Sequence, residues 1–145
     1  RKSLCKYGIE PKILIEPLMR DDINKNVEEI QWYCFNGIAK LCIRIEAGTN
    51  DKTTLYDENL NIIDDILSEG DEKVNRPVDD LLNQSIDLSS KLSKDFAFVR
   101  VDWMIYQNKL YFEELTFTPY SGFNNGLNKT LNKKLGIKLK FFNYF

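Results

Sequence analysis

The sequence predicts an α+β fold with a largely antiparallel sheet and packed helices, and three features carry the prediction. Asn36-Gly37 sits between two apolar, β-branched and aromatic runs, Glu29 to Phe35 and Ile38 to Ile45, which is the strongest short-range hairpin signal. A stretch opening at Pro77 carries helix punctuation and leucines at helical spacing. Two more strand-like runs follow it, Phe96 to Tyr106 and Leu110 to Thr118. Strands, then a helix, then strands again point to α+β.

Taken in order, Lys12-Ile13-Leu14-Ile15-Glu16 is a short apolar run stopped by Pro17, and it reads as a strand feeding a turn. In the hairpin, a two-residue turn at Asn36-Gly37 pairs Phe35 with Ile38, and the register follows from there. Ile30, Trp32, Cys34, Ala39, Leu41, Ile43 and Ile45 then share an apolar face. Gln31, Tyr33, Lys40, Cys42 and Arg44 share the other, with Glu29 opposite Arg44. Thr53 to Tyr56 reads as a strand, Asp57 to Asn61 as a turn leading to Ile62-Ile63, and the acidic stretch from Asp64 to Arg76 as a solvated loop. Pro77 suits the first position of a helix, with Asp79 and Asp80 in its first turn and Lys91 and Lys94 near its end. Leu81, Leu88 and Leu92 recur along it. The tail from Leu127 to Phe145 mixes five lysines with Leu, Ile, Phe and Tyr. Such a segment can meet an anionic membrane, but amphipathic terminal helices commonly dock on their own domain, so membrane contact is not expected.

Composition narrows the function. A chain of 145 residues, 43% hydrophobic, is one globular domain's worth. A net charge of −2 argues against nucleic acid as a partner. No apolar run approaches the roughly 20 residues of a membrane span. The chain opens on Arg1, which suggests a piece of something longer. Its three cysteines, Cys5, Cys34 and Cys42, lack metal-ligand spacing and read as reduced thiols of a cytoplasmic protein. Histidine is absent, which removes Ser-His-Asp and Cys-His catalysis and histidine metal sites. Chemistry must then rest on carboxylates, basic side chains and hydroxyls.

Those groups concentrate in one place. Arg100, Asp102 and Glu114 are charges inside otherwise apolar strands, followed by Thr116, Pro119 and a Ser121-Gly122 loop. A buried charge is costly unless it is paired or bound to a metal. An Arg–carboxylate pair closing a hairpin is one account of it. A hard-oxygen site for Mg²⁺, which takes one or two carboxylates and leaves room for phosphate, is the preferred one. The two carboxylates share a face only if the intervening turn holds an odd number of residues or the hairpin carries a bulge. A three-residue loop, Gln107-Asn108-Lys109, would pair Tyr106 with Leu110, Asp102 with Glu114, and Arg100 with Thr116.

Arg100-Val101-Asp102, followed by Glu114-Leu115-Thr116 and then Pro119, resembles the metal-binding core of ATP-grasp ligases. Trp32 to Gly37, Leu92 to Phe96, Phe98 to Asp102 and Glu114 to Phe117 are similar, more closely, to the TupA-like ATP-grasp family, which is tied to teichuronopeptide and other surface-polysaccharide assembly. The likeness runs from about Lys12 to Gly136 and covers the later half of a whole ATP-grasp enzyme. It therefore implies a partial ATP-grasp domain over residues 1–145, the C-terminal subdomain, with the N-terminal half missing.

The resemblance implies ATP and Mg²⁺ as cofactors. It assigns Asp102 and Glu114 to the metal, with Thr116 where the wider superfamily usually has an asparagine ligand. Arg100 would contact the transferred phosphate or the substrate carboxylate, and Glu16 through Met19 would be the hinge against adenine. Asp21 or Asp22 would hold ribose. Gln31 stands where the resemblance leads one to expect lysine. The implied reaction is activation of a carboxylate as an acyl phosphate, followed by attack of an amine, in bacterial cell-surface polysaccharide biosynthesis. This piece alone would be inactive. A glycosyltransferase of the same pathway, or a non-catalytic carbohydrate-binding or scaffold domain, are the rival readings. The first usually carries an Asp-x-Asp motif, which the sequence lacks.

Overall fold

The computed structural model describes residues 28–46, 52–64 and 72–122, together with Lys12, Ile13, Ile15, Lys133, Leu135 and Gly136. Six strands, one long helix and a short 3-10 turn at Pro119–Gly122 are the main described elements, and Lys133, Leu135 and Gly136 are helical as well. The strands and the long helix are β1 (Glu28–Phe35), β2 (Ile38–Glu46), β3 (Lys52–Asp57), β4 (Glu72–Lys73), α1 (Asp80–Leu92), β5 (Phe98–Tyr106) and β6 (Lys109–Thr116). The strands form one sheet in the order β4-β3-β2-β1-β5-β6. Every pairing is antiparallel except β3 with β4, so the expected α+β, largely antiparallel architecture holds for these elements, with α1 packed against one face of the sheet.

The β1–β2 hairpin turns on Asn36 and Gly37, both at positive φ (51° and 76°), the paired left-handed geometry that matches strand twist. Phe35 faces Ile38 and Cys34 faces Ala39 as expected, but a bulge then intervenes, and Tyr33 faces Leu41. From there the register runs one residue off the expected one. Arg44 lies opposite Ile30 and not Glu29. The correction changes the faces of β2: Cys42 joins Ile30, Trp32, Cys34 and Ala39, while Leu41 and Ile43 join Tyr33 and Phe35. Trp32 and Leu41 are both buried, on opposite faces. Both faces of the sheet are covered, so the alternation of apolar residues along β2 does not specify one register.

Three other boundaries differ from expectation. The Asp64–Arg76 stretch holds β4, which pairs with the start of β3, and Arg76 forms ion pairs with Glu28 and Glu46. The helix begins three residues after Pro77, because Asp79 caps it by accepting a 2.9 Å hydrogen bond from the Leu82 amide. Lys12, Ile13 and Ile15 are in no strand, and both isoleucines are about nine-tenths exposed, so these residues bury nothing that would hold them extended.

The face of α1 against the sheet is Leu82, Ser85 and Ser89, whereas Leu88 and Leu92 are exposed. Serines suit this contact because they answer the two buried indoles beneath them. Trp32 Nε1 donates to Ser85 Oγ at 2.8 Å, and Trp103 Nε1 donates to Ser89 Oγ at 2.7 Å. Val99, Val101, Trp103, Ile105 and Leu115 pack in this layer. The opposite face holds a second cluster, Tyr33, Phe35, Leu41, Ile43 and Leu55, joined by Leu135, which is helical and buried. That contact agrees with a tail docking on its own domain. No helix among the described residues is long and apolar enough to cross a membrane.

Candidate functional site

The second hairpin carries the site. Its turn is two residues long, not three: Gln107 and Asn108 take positive φ (48° and 56°), and Tyr106 pairs with Lys109. By strict alternation that turn would put Glu114 on the α1 side. A bulge between Asp102 and Trp103 restores the phase. Trp103 faces Phe112, Asp102 faces Glu114, and Arg100 faces Thr116. The expected pairing is therefore present, reached through a bulge in place of a longer loop. All four side chains lie on the face away from α1.

Arg100 and Asp102 form a two-pronged pair. Arg100 Nε donates to Oδ1 and Nη2 to Oδ2, each at 2.7 Å, the fork geometry of a guanidinium on a carboxylate. Both residues are at least nine-tenths buried. The Thr116 hydroxyl lies 2.9 Å from Asp102 Oδ2 and 2.9 Å from Glu114 Oε1, within donating distance of either carboxylate. Glu114 itself is largely exposed, with Oε1 3.9 Å from Arg100 Nη2. Burial works against the charge of Arg100, yet Asp102 and Tyr33 hold the guanidinium more firmly protonated than an ordinary arginine. Burial pushes the Asp102 carboxyl above the ordinary aspartate value, opposed by Arg100 and Thr116 and reinforced by the charge of Glu114.

The bulge has a second effect, which alternation along β6 does not reveal. Glu113 falls within electrostatic reach of Glu29, Asp102 and Glu114; burial first, then those charges, raises its carboxyl above the ordinary glutamate value. Gln31 lies directly opposite Asp102 on β1, and its Nε2 donates to Glu29 Oε2 at 3.3 Å. The signal for these residues in the sequence is Glu113-Glu114 itself, two adjacent acids in a strand of which only one should face the site.

Among the described residues no set of three His, Cys, Asp or Glu side chains is arranged to hold a metal ion. The donor types nevertheless fit Mg²⁺. Two carboxylates and a hydroxyl share one face, and Asp102 Oδ1, which accepts from Arg100 Nε, keeps a second lone pair. The expected adenine and ribose residues, Glu16, Met19, Asp21 and Asp22, lie outside the described residues.

The family model described as TupA-like ATPgrasp matches residues 2–140. The chain belongs to the TupA-like ATP-grasp family. No curated protein and no solved structure shows significant similarity to it. Membership places the chain in a family of ATP-grasp enzymes. It gives the β5–β6 hairpin its interest, because the paired carboxylates expected of an ATP-grasp metal site are the pair that the bulge brings together.

Proposed function

We propose that this TupA-like ATP-grasp chain supplies the metal-binding half of a carboxylate–amine ligase dependent on ATP and Mg²⁺. The ligase would act in the cytoplasm on precursors of a bacterial surface polymer. The observation that carries the reading is the pairing of Asp102 with Glu114 on one sheet face, beside Arg100 and Thr116. Asp102 and Glu114 would hold Mg²⁺, with Thr116 between them. When bound, the metal neutralises charge on the nucleotide phosphates. Arg100, paired with Asp102 on the same face, would orient the transferred phosphoryl group or the substrate carboxylate. Thr116 holds Glu114 in place through its hydroxyl. Positioning and charge neutralisation suffice for acyl-phosphate chemistry, and a chain without histidine can perform them. Burial pushes Cys34 up to about 11 and Cys42 well above its ordinary value, so both thiols are inert packing groups that take no part in the chemistry.

Calorimetric titration of the full-length protein with ATP, with and without Mg²⁺, tests the reading. We expect saturable binding that tightens at least about tenfold with Mg²⁺, and loss of that gain in Glu114→Gln. Nucleotide binding indifferent to Mg²⁺ would remove the metal role from this hairpin.

A further inference from the structure

Beside the Arg100–Asp102 fork stand acceptors that the proposed metal chemistry does not use. Gln31 is 8% exposed, and its Oε1 is buried with no hydrogen-bond partner among the described residues. Its Nε2 donates to Glu29, fixing the amide beside that carboxylate. Gln31 faces Asp102 across β1 and β5, and Glu113 stands within electrostatic reach of both Glu29 and Asp102. Glu29, Asp102 and Glu114 all stand within electrostatic reach of Glu113, and the Arg100 fork is taken up by Asp102.

A buried amide oxygen left without a donor is unfavourable and marks a place where a hydrogen-bond donor fits. The surrounding negative charge favours a cationic donor. A primary ammonium brings three N–H donors and one positive charge, which matches one amide oxygen and two carboxylates. We propose that Gln31 Oε1, Glu29 and Glu113 bind a primary ammonium group, that of the amine substrate. The identity of the amine as substrate rests on the ligase reading above; the existence of the subsite does not. Placed one strand from Asp102 and Glu114, the subsite would hold the amine next to the phosphate-handling face.

The test is a titration of the ¹⁵N-labelled full-length protein with methylammonium chloride, and in parallel with tetramethylammonium chloride, which has the same charge but no N–H, and with MgCl₂. Methylammonium should move the Gln31 side-chain amide signals saturably, and tetramethylammonium should not. Gln31→Met, of similar length but with no acceptor, should weaken methylammonium binding at least about tenfold, and Glu113→Gln should weaken it too. The backbone spectrum reports whether each variant keeps its fold; if Gln31→Met does not, Glu113→Gln decides. Equal response to both ammonium ions, no saturable response at Gln31, or a response to MgCl₂ alone would each overturn the proposal. No nucleotide is present in this titration. Methylammonium binding by a protein indifferent to Mg²⁺ and ATP would keep the subsite and remove the ligase reading. The converse result would remove the subsite alone.

Discussion

Asp102 and Glu114 face each other across two strands, yet they differ sharply in what surrounds them. Asp102 is buried, and both its oxygens accept from Arg100; Glu114 reaches solvent and is held by one hydroxyl. Removing the charge of Asp102 leaves a buried guanidinium without its counter-ion, so Asp102→Asn should cost about 3 kcal/mol of stability. Glu114→Gln keeps the acceptor for Thr116 and should stay within about 0.5 kcal/mol. Paired denaturant titrations check both values. A loss of activity in Asp102→Asn would thus mix fold and chemistry, whereas Glu114→Gln separates them. A difference in stability below about 1 kcal/mol between the two variants would contradict the energetic account of the fork.

The elements owe much of their placement to single polar contacts at their ends. Asp79 caps α1 and also takes a 2.7 Å ion pair from Arg44 on β2, so it ties the helix start to the sheet. Burial tends to raise its carboxyl, but Arg44 and the Leu82 amide outweigh that and hold it below the ordinary value of 3.8. A carboxyl depressed in the folded state stabilises the fold above its unfolded value and loses that contribution as pH falls through the folded one. Asp79→Ala should therefore cost about 1 kcal/mol at neutral pH, and the gap from the parent protein should narrow progressively as pH falls below 3.8. Urea melts at pH 7 and near pH 3 read this directly, and a gap that widens on acidification would contradict it. The elements were also where the sequence was most and least legible. Asn36-Gly37 announced its turn because that pair takes left-handed backbone at low cost. The two bulges announced themselves in no residue. At Lys40 the bulge moved Arg44 from an expected partner, Glu29, to Glu28 and Asp79. At Glu113 the bulge delivered Asp102 opposite Glu114 from a turn of the wrong length. Both depend on what covers the two faces, which alternation along one strand does not encode.

At the scale of the whole molecule, the two faces of the sheet serve different ends. One is closed by α1, with serines fitted to two indoles. The other carries an apolar cluster around Tyr33 and Leu135 and, beside it toward β6, the charged site. β6 stands at the end of the sheet, so Glu113 and Glu114 meet solvent where a nucleotide or an amine can approach. The acidic, globular, histidine-free composition limited the chemistry to carboxylates, basic side chains and hydroxyls, and it was legible from the start. Which carboxylates cooperate was only half legible, because Glu29, Gln31 and Glu113 come together through strand order and a bulge. The metal site is tested most directly by the location of Mn²⁺, a paramagnetic stand-in for Mg²⁺, added with ADP to the ¹⁵N-labelled full-length protein. Signals of Asp102, Glu114 and Thr116 should broaden first, those of α1 on the far face should be spared, and Glu114→Gln should abolish the effect. Broadening centred elsewhere, or unchanged in Glu114→Gln, would contradict the metal site and with it the proposed ligase chemistry.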